Sequence, residues 1–220
     1  MKTFILFTGS FIIMVTSIYS QAMYVNDSNN YIIVQGDYET ESEADGNTTT
    51  IYLGGSYVFQ GNFELGVDYL TGSYKDDTDS YYDHNMTGFA FDMGYHIKNP
   101  TYPANIALVG AYMTMSMDAD YLDELEWKVS GNGTGIGVEL YKSVIKTETY
   151  ELIPFVGFHS MTINTKIEDS YGDSLEEDEE STSVSFGVGI KLNNLIVQPT
   201  ISQSDGESDF SVTFGMILPQ

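Results

Sequence analysis

The sequence predicts an all-β fold, an antiparallel up-and-down barrel of about ten strands. Three observations predict it. Bulky apolar residues alternate with small or charged ones along most of the chain, the period of a strand with two unlike faces. No stretch carries a convincing helical period. The connections also alternate, short and nearly acid-free, then longer and acidic.

Residues 1–22 stand apart from this pattern. One base, Lys2, precedes an apolar run from Phe4 to Val15 and a small-x-small end at Ser20-Gln21-Ala22. That is the pattern of a secretory signal peptide, cleaved after Ala22. Residues 23–220 then make one domain.

Strands are expected near 30–39, 49–59, 62–75, 86–98, 104–117, 126–142, 151–166, 182–192, 194–203 and 209–218. In the third, Phe63, Leu65, Val67 and Tyr69 oppose Glu64, Gly66 and Asp68. In the fourth, Phe89, Phe91, Met93, Tyr95 and Ile97 oppose Ala90, Asp92, Gly94 and His96. In the eighth, Val184, Phe186, Val188, Ile190 and Leu192 oppose Ser185, Gly187, Gly189 and Lys191; the tenth behaves alike from Phe210 to Leu218. The first, fifth and seventh alternate less cleanly, which leaves their register open.

The chain has 32 acids, eight bases and no Cys, with a net charge of −24. All eight bases are Lys, so bidentate Arg–phosphate clamps are absent. The charge repels nucleic acid, which is excluded as a partner, and attracts divalent cations. Without Cys the fold rests on its sheet alone. Most acids fall in the connections after strands 1, 3, 5, 7 and 9, including ETESEADGN, DDTDSYYDHN, DADYLDELE, IEDSYGDSLEEDEES and SDGESD. In an up-and-down meander these connections emerge at one end. The pattern therefore places long acidic loops on one rim and short turns on the other.

A soluble barrel turns its bulky face inward and a polar face to water. Here the second face is mostly Gly, Ser, Ala and Thr, which suits a wall whose bulky side meets lipid. Tyr57, Phe59, Phe63, Tyr95, Tyr102, Tyr141 and Phe155 cluster near the short turns, where an interfacial girdle belongs. With its leader, alternating strands, asymmetric loops and amphipathic last strand, the chain resembles the small, eight- to ten-stranded outer-membrane β-barrel proteins of bacteria. The resemblance spans residues 23–220 and is architectural. It implies a transmembrane barrel in the outer membrane, probing lipid with its wall, with short periplasmic turns and extracellular acidic loops, and a monomer as the working unit.

The register sends Glu64, Asp68, Asp92, His96, Glu139 and Lys191 into the lumen. A barrel of this size is filled by its own side chains, so a buried polar network is expected, with Lys191 pairing carboxylates; a cation-favouring lumen is the sharper alternative. On the acidic rim, Asp118, Asp120, Asp123 and Glu124 form one group, and Asp169 with Asp173 another. They suit loosely bound Ca²⁺ or Mg²⁺, but neither has the spacing of an EF-hand loop, and no cofactor beyond such ions is expected. Met113, Met115 and Met117 share one face as apolar filling. His159-Ser160 and Asp83-His84 resemble fragments of hydrolase sites, but the first pair lies on a strand, where neighbours face opposite ways, and the second is only a dipeptide in an acid-rich loop. The expected function is structural or surface-interacting, with acidic loops offered to ions, lipid or extracellular ligands. A narrow cation-favouring pore is the alternative, an exported soluble β-barrel binding protein the next, and a hydrolase the weakest.

Overall fold

The computed structural model describes residues 21–25, 29–42, 46–204 and 207–220. Residues 1–20 of the expected leader, and the loop acids Glu43, Asp45 and Asp205, lie outside them.

Ten long strands form the wall: β1 (Tyr31–Ser42), β2 (Gly46–Phe59), β3 (Phe63–Asp76), β4 (His84–Ile97), β5 (Asn105–Asp118), β6 (Lys128–Tyr141), β8 (Tyr150–Glu168), β9 (Ser174–Leu192), β10 (Leu195–Ser204) and β11 (Glu207–Pro219). A two-residue strand, β7 (Ile145–Lys146), adds only a short ladder on the rim beside Leu152 and Glu151. Each long strand pairs antiparallel with the next, and β6 pairs directly with β8. The sheet closes where β1 pairs with β11, from Tyr31 opposite Pro219 to Glu41 opposite Asp209. Closure leaves no unpaired edge, the condition for strands to cross a membrane.

The alternation sorts the faces. On β3, Phe63, Leu65, Val67 and Tyr69 are exposed while Glu64, Asp68 and Leu70 are buried. Register extends this around the wall, setting Tyr69 opposite Phe89, Val67 opposite Phe91, Leu65 opposite Met93 and Phe63 opposite Tyr95. The rings of Tyr69 and Phe89 meet edge to face at 5.4 Å. A continuous apolar belt is costly in water and suits a bilayer. The long strands run from 10 to 19 residues, enough for the ~9–11 that a tilted spanning strand needs.

The short turns lie where expected. Asn62 N–H closes the first onto Phe59 carbonyl at 3.0 Å. Asn193, with φ at 55°, makes the tight link from β9 to β10.

Several expectations are corrected. The eighth predicted strand begins at Ser174 rather than 182, so most of the acidic tract is hairpin and only 169–173 form the turn. Its acids pair across with polar partners, Glu180 opposite Thr162, Asp178 opposite Asn164 and Glu176 opposite Lys166. A five-residue α-helix, Asp120–Glu124, forms on the acidic rim where no helical period was visible. Tyr141 and Phe155 do not join the girdle; they are buried and face the lumen.

Candidate functional site

Inside the barrel, side chains form two apolar clusters with acids between and among them. Towards the acidic rim, Met86, Met113, Met115, Met117, Met161 and Ile163 pack with Tyr121 and Leu122 of the short helix. The three alternating methionines thus fill the interior. Towards the short turns, Ile33, Val58, Val109, Tyr141, Ile153 and Phe155 form a second apolar cluster. Acids lie between these clusters, as Asp68 and Asp92 do, and also within the second, where Glu64 is opposite Val58 and Glu139 opposite Ala107.

Every lumen residue expected from the register faces inward. Glu64 and Asp68 alternate on β3, and Asp92 sits diagonally between them on β4, opposite Gly66. Glu64 and Glu139 are almost wholly buried, at 1% and 0% exposure. His96 has a neighbour at each ring nitrogen: its Nδ1 lies 2.7 Å from Tyr141 Oη, and its Nε2 lies 3.8 Å from a Glu64 oxygen. Gln35 Nε2 donates to Asp68 at 3.3 Å. His159 Nε2 lies 3.6 Å from Glu139. Lys191 Nζ donates to the backbone carbonyl of Tyr24 at 2.8 Å, a partner the sequence did not suggest.

Residues 21–25 were expected to be leader, or its immediate sequel. They lie inside the lumen near the short turns, each 0–2% exposed, with Gln21–Tyr24 in a 3₁₀ turn. Glu64 accepts from the N–H groups of Gln21 and Ala22 at 3.0 and 2.8 Å. Lys98 Nζ donates to the carbonyls of Ala22, Val25 and Gly61, at 2.7 Å to Ala22. Tyr24 Oη donates to Gln198. Gly189 leaves room for that ring, since a Cβ there would lie 2.6 Å from Tyr24 Cε1.

Sequence reasoning also missed Asp37, Glu39 and Glu151, all buried. On β1 an inward Ile33 precedes Gln35, Asp37 and Glu39, so the inward face is not uniformly polar and the alternation is blurred. Reading outward from Val34 and Tyr38 would have recovered it.

On the acidic rim many carboxylates organise the loops. Asp76 accepts from Thr78 and Asp79 N–H groups at 2.7 and 2.9 Å, and Asp83 from Asp76 N–H at 2.9 Å. Asp169 accepts from the N–H groups of Tyr171 and Asp173, both at 2.9 Å. Lys166 Nζ lies 2.7 Å from Glu168 and holds that carboxyl below its usual range, chiefly through this hydrogen bond. Glu124 accepts from Tyr81 Oη at 3.0 Å, while Asp118, Asp120 and Asp123 point to solvent. A cavity of about 560 Å³ opens among Tyr74, Asp79, Asp83, His84, Asp118 and Asp120. Among the described residues no three such side chains converge as metal ligands.

The hydrolase fragments are not brought together. His159 lies on the inward parity of β8 and Ser160 on the outward one. His84 is buried and stacks on Tyr74, with ring centroids 4.9 Å apart.

No protein-family model matches the sequence, and no curated protein matches it. Solved structures do match. The translocator domain of the autotransporter NalP from Neisseria meningitidis superposes with a TM-score of 0.53, covering 98% of this chain and 96% of that one at 12% identity. The β domain of the Bordetella autotransporter Brka also gives 0.53, covering 88% of this chain and all of that one at 9% identity. At such identities the likeness is one of fold. This chain has the fold of the outer-membrane β-barrels, closed here by ten long antiparallel strands.

Proposed function

We propose that the protein is an exported resident of the outer membrane, whose occluded barrel anchors an acidic rim for contact with ions, envelope lipid or extracellular ligands. The observation that carries this reading is the filling of the lumen at both ends, by the methionine-rich cluster with the short helix and by residues 21–25 with the second cluster. Charged groups packed between and among these apolar side chains give a hydrated ion no continuous path. Their burial suits a network that fixes the interior rather than a conduit. The apolar belt supplies the lipid-facing wall, and the acid-rich hairpin of β8 and β9 supplies the exposed surface. Divalent cations associate loosely there, held by field more than by coordination.

Planar-bilayer recording of the protein folded from detergent tests occlusion. The expected record is flat at moderate voltage in 1 M-scale salt; stable unitary steps with cation preference would replace this reading by the narrow pore. Calorimetric titration with Ca²⁺ or Mg²⁺ should show weak, salt-sensitive heats, and a tight saturable site would overturn the loose association.

A further inference from the structure

We infer that the mature chain begins at Gln21, cut from its leader at the Ser20–Gln21 bond, and that its new amino terminus docks on Glu64 as a plug inside the barrel. This rests on the proposed export, and it moves the cut two residues from the place the sequence suggests.

The sequence favours cleavage after Ala22, where Ser20 and Ala22 give two small residues in the usual spacing. Ser20 is itself small enough for the position before a cut, although Ile18 then occupies the outer subsite. The structure weighs against the later cut. Removing Gln21 and Ala22 would withdraw two N–H donors from Glu64, whose oxygens each accept one of them. It would also remove the Ala22 carbonyl on which Lys98 is seated. Such a cut would dismantle a fitted contact inside a buried layer.

The earlier cut completes that contact. It turns the Gln21 nitrogen, 3.0 Å from Glu64 Oε1, into an α-amino group, with an ordinary pKa of about 7.7–8.0. Protonated, it supplies positive charge beside a carboxylate that is 1% exposed and lies in an acid-rich layer with Asp68 and Asp92. A buried charge needs such a partner. The remaining contacts hold the plug along its length: Lys98 and Lys191 on its carbonyls, Gln198 on the Tyr24 hydroxyl, and Gly189 leaving space for the ring. The amino terminus is thus an internal ligand of its own barrel.

The full chain should be expressed in a Gram-negative host, purified from the outer membrane, and its first residue assigned by intact and top-down mass spectrometry. A chain beginning at Gln21 is expected. One beginning at Met23 would overturn the inference while leaving export intact; a chain still carrying Met1 or Lys2, absent from the outer-membrane fraction, would overturn export itself. The docking is read separately by amine labelling at the N-terminal peptide. In the folded protein that amine should label only after unfolding, and in folded Glu64→Gln it should label at once. Gly189→Leu, which evicts Tyr24 without touching Glu64, should expose it as well if E64Q fails to fold. Immediate labelling of the folded wild-type amine would overturn the plug.

Discussion

Gly187 and Val188 are neighbours on β9 that meet opposite surroundings. A polar substitution should be tolerated better at inward Gly187 than at outward Val188 if the lumen were open, but the structure removes that room. A Cβ on Gly187 would lie 2.5 Å from Phe155 Cε1 and 2.9 Å from the Pro199 carbonyl. Gly187→Ala should therefore destabilise the barrel by about 1–3 kcal/mol through overpacking. At Gly135 the nearest atom to an added Cβ is 3.6 Å away, an ordinary contact. Gly135→Ala should stay within about 0.5 kcal/mol of wild type, so equal urea midpoints for the two variants in lipid would contradict this packing. The outer face makes the complementary demand. Phe91 is half exposed near the middle of β4, and Phe91→Lys should cost about 2–4 kcal/mol if that position lies at the bilayer midplane. The same substitution at Tyr171, in the rim turn and almost fully exposed, should have no measurable effect on unfolding.

The hairpin of β8 and β9 is two elements in one. Its lower part carries Phe158 and Phe186 outward and Ser183, Ser185 and Phe155 inward, as a membrane wall requires. Its upper part continues the same ladder with acids, up to Glu168 opposite Ser174. Ladder hydrogen bonds form without regard to side-chain charge, and Asn164 Nδ2 donating to Asp178 at 2.9 Å shows how a polar cross-strand pair adds to them. The tip beyond Ile167 and Leu175 contributes little to packing. Replacing residues 168–174 by Asn-Gly, which suits a two-residue hairpin turn, should leave the urea midpoint unchanged while removing three surface acids, Glu168, Asp169 and Asp173. A large loss of stability would mean that the tip supports the barrel beneath it. The short helix on the other side of the rim differs in kind. Its Tyr121 and Leu122 are buried in the methionine-rich cluster, so it closes the lumen as well as covering it.

Taken whole, the molecule is a closed sheet with an apolar outside and a filled inside, an arrangement that needs a lipid or detergent solvent. Folded into micelles, the chain should run as a compact band when unboiled and shift on boiling, and its β-rich circular dichroism should appear only with micelles present. A chain that folds fully in plain buffer would contradict the membrane barrel. The asymmetry of charge is a property of this scale as well. The rim acids repel one another, which an exposed hairpin in water tolerates through screening, whereas Asp68 and Glu64 in the lumen accept from donors placed beside them, Gln35 on Asp68 and the N–H groups of Gln21 and Ala22 on Glu64.

The sequence by itself determined the all-β up-and-down order of about ten strands, the inward register of Glu64, Asp68, Asp92, His96, Glu139 and Lys191, and the positions of the short turns. Each is local information, because period two and turn chemistry are written within a few residues of one another. The tertiary structure decided the extent of the acidic hairpin, the inward turn of Tyr141 and Phe155, the short rim helix and the place of residues 21–25. None of these follows from local pattern. Acids have low strand propensity but join a ladder that a well-paired hairpin has already begun; the five-residue helix is too short to show a period and is held by the burial of Tyr121 and Leu122. Residues 21–25 read as the end of a leader until Glu64, Lys98, Lys191 and Gln198, remote in the chain, are brought around them.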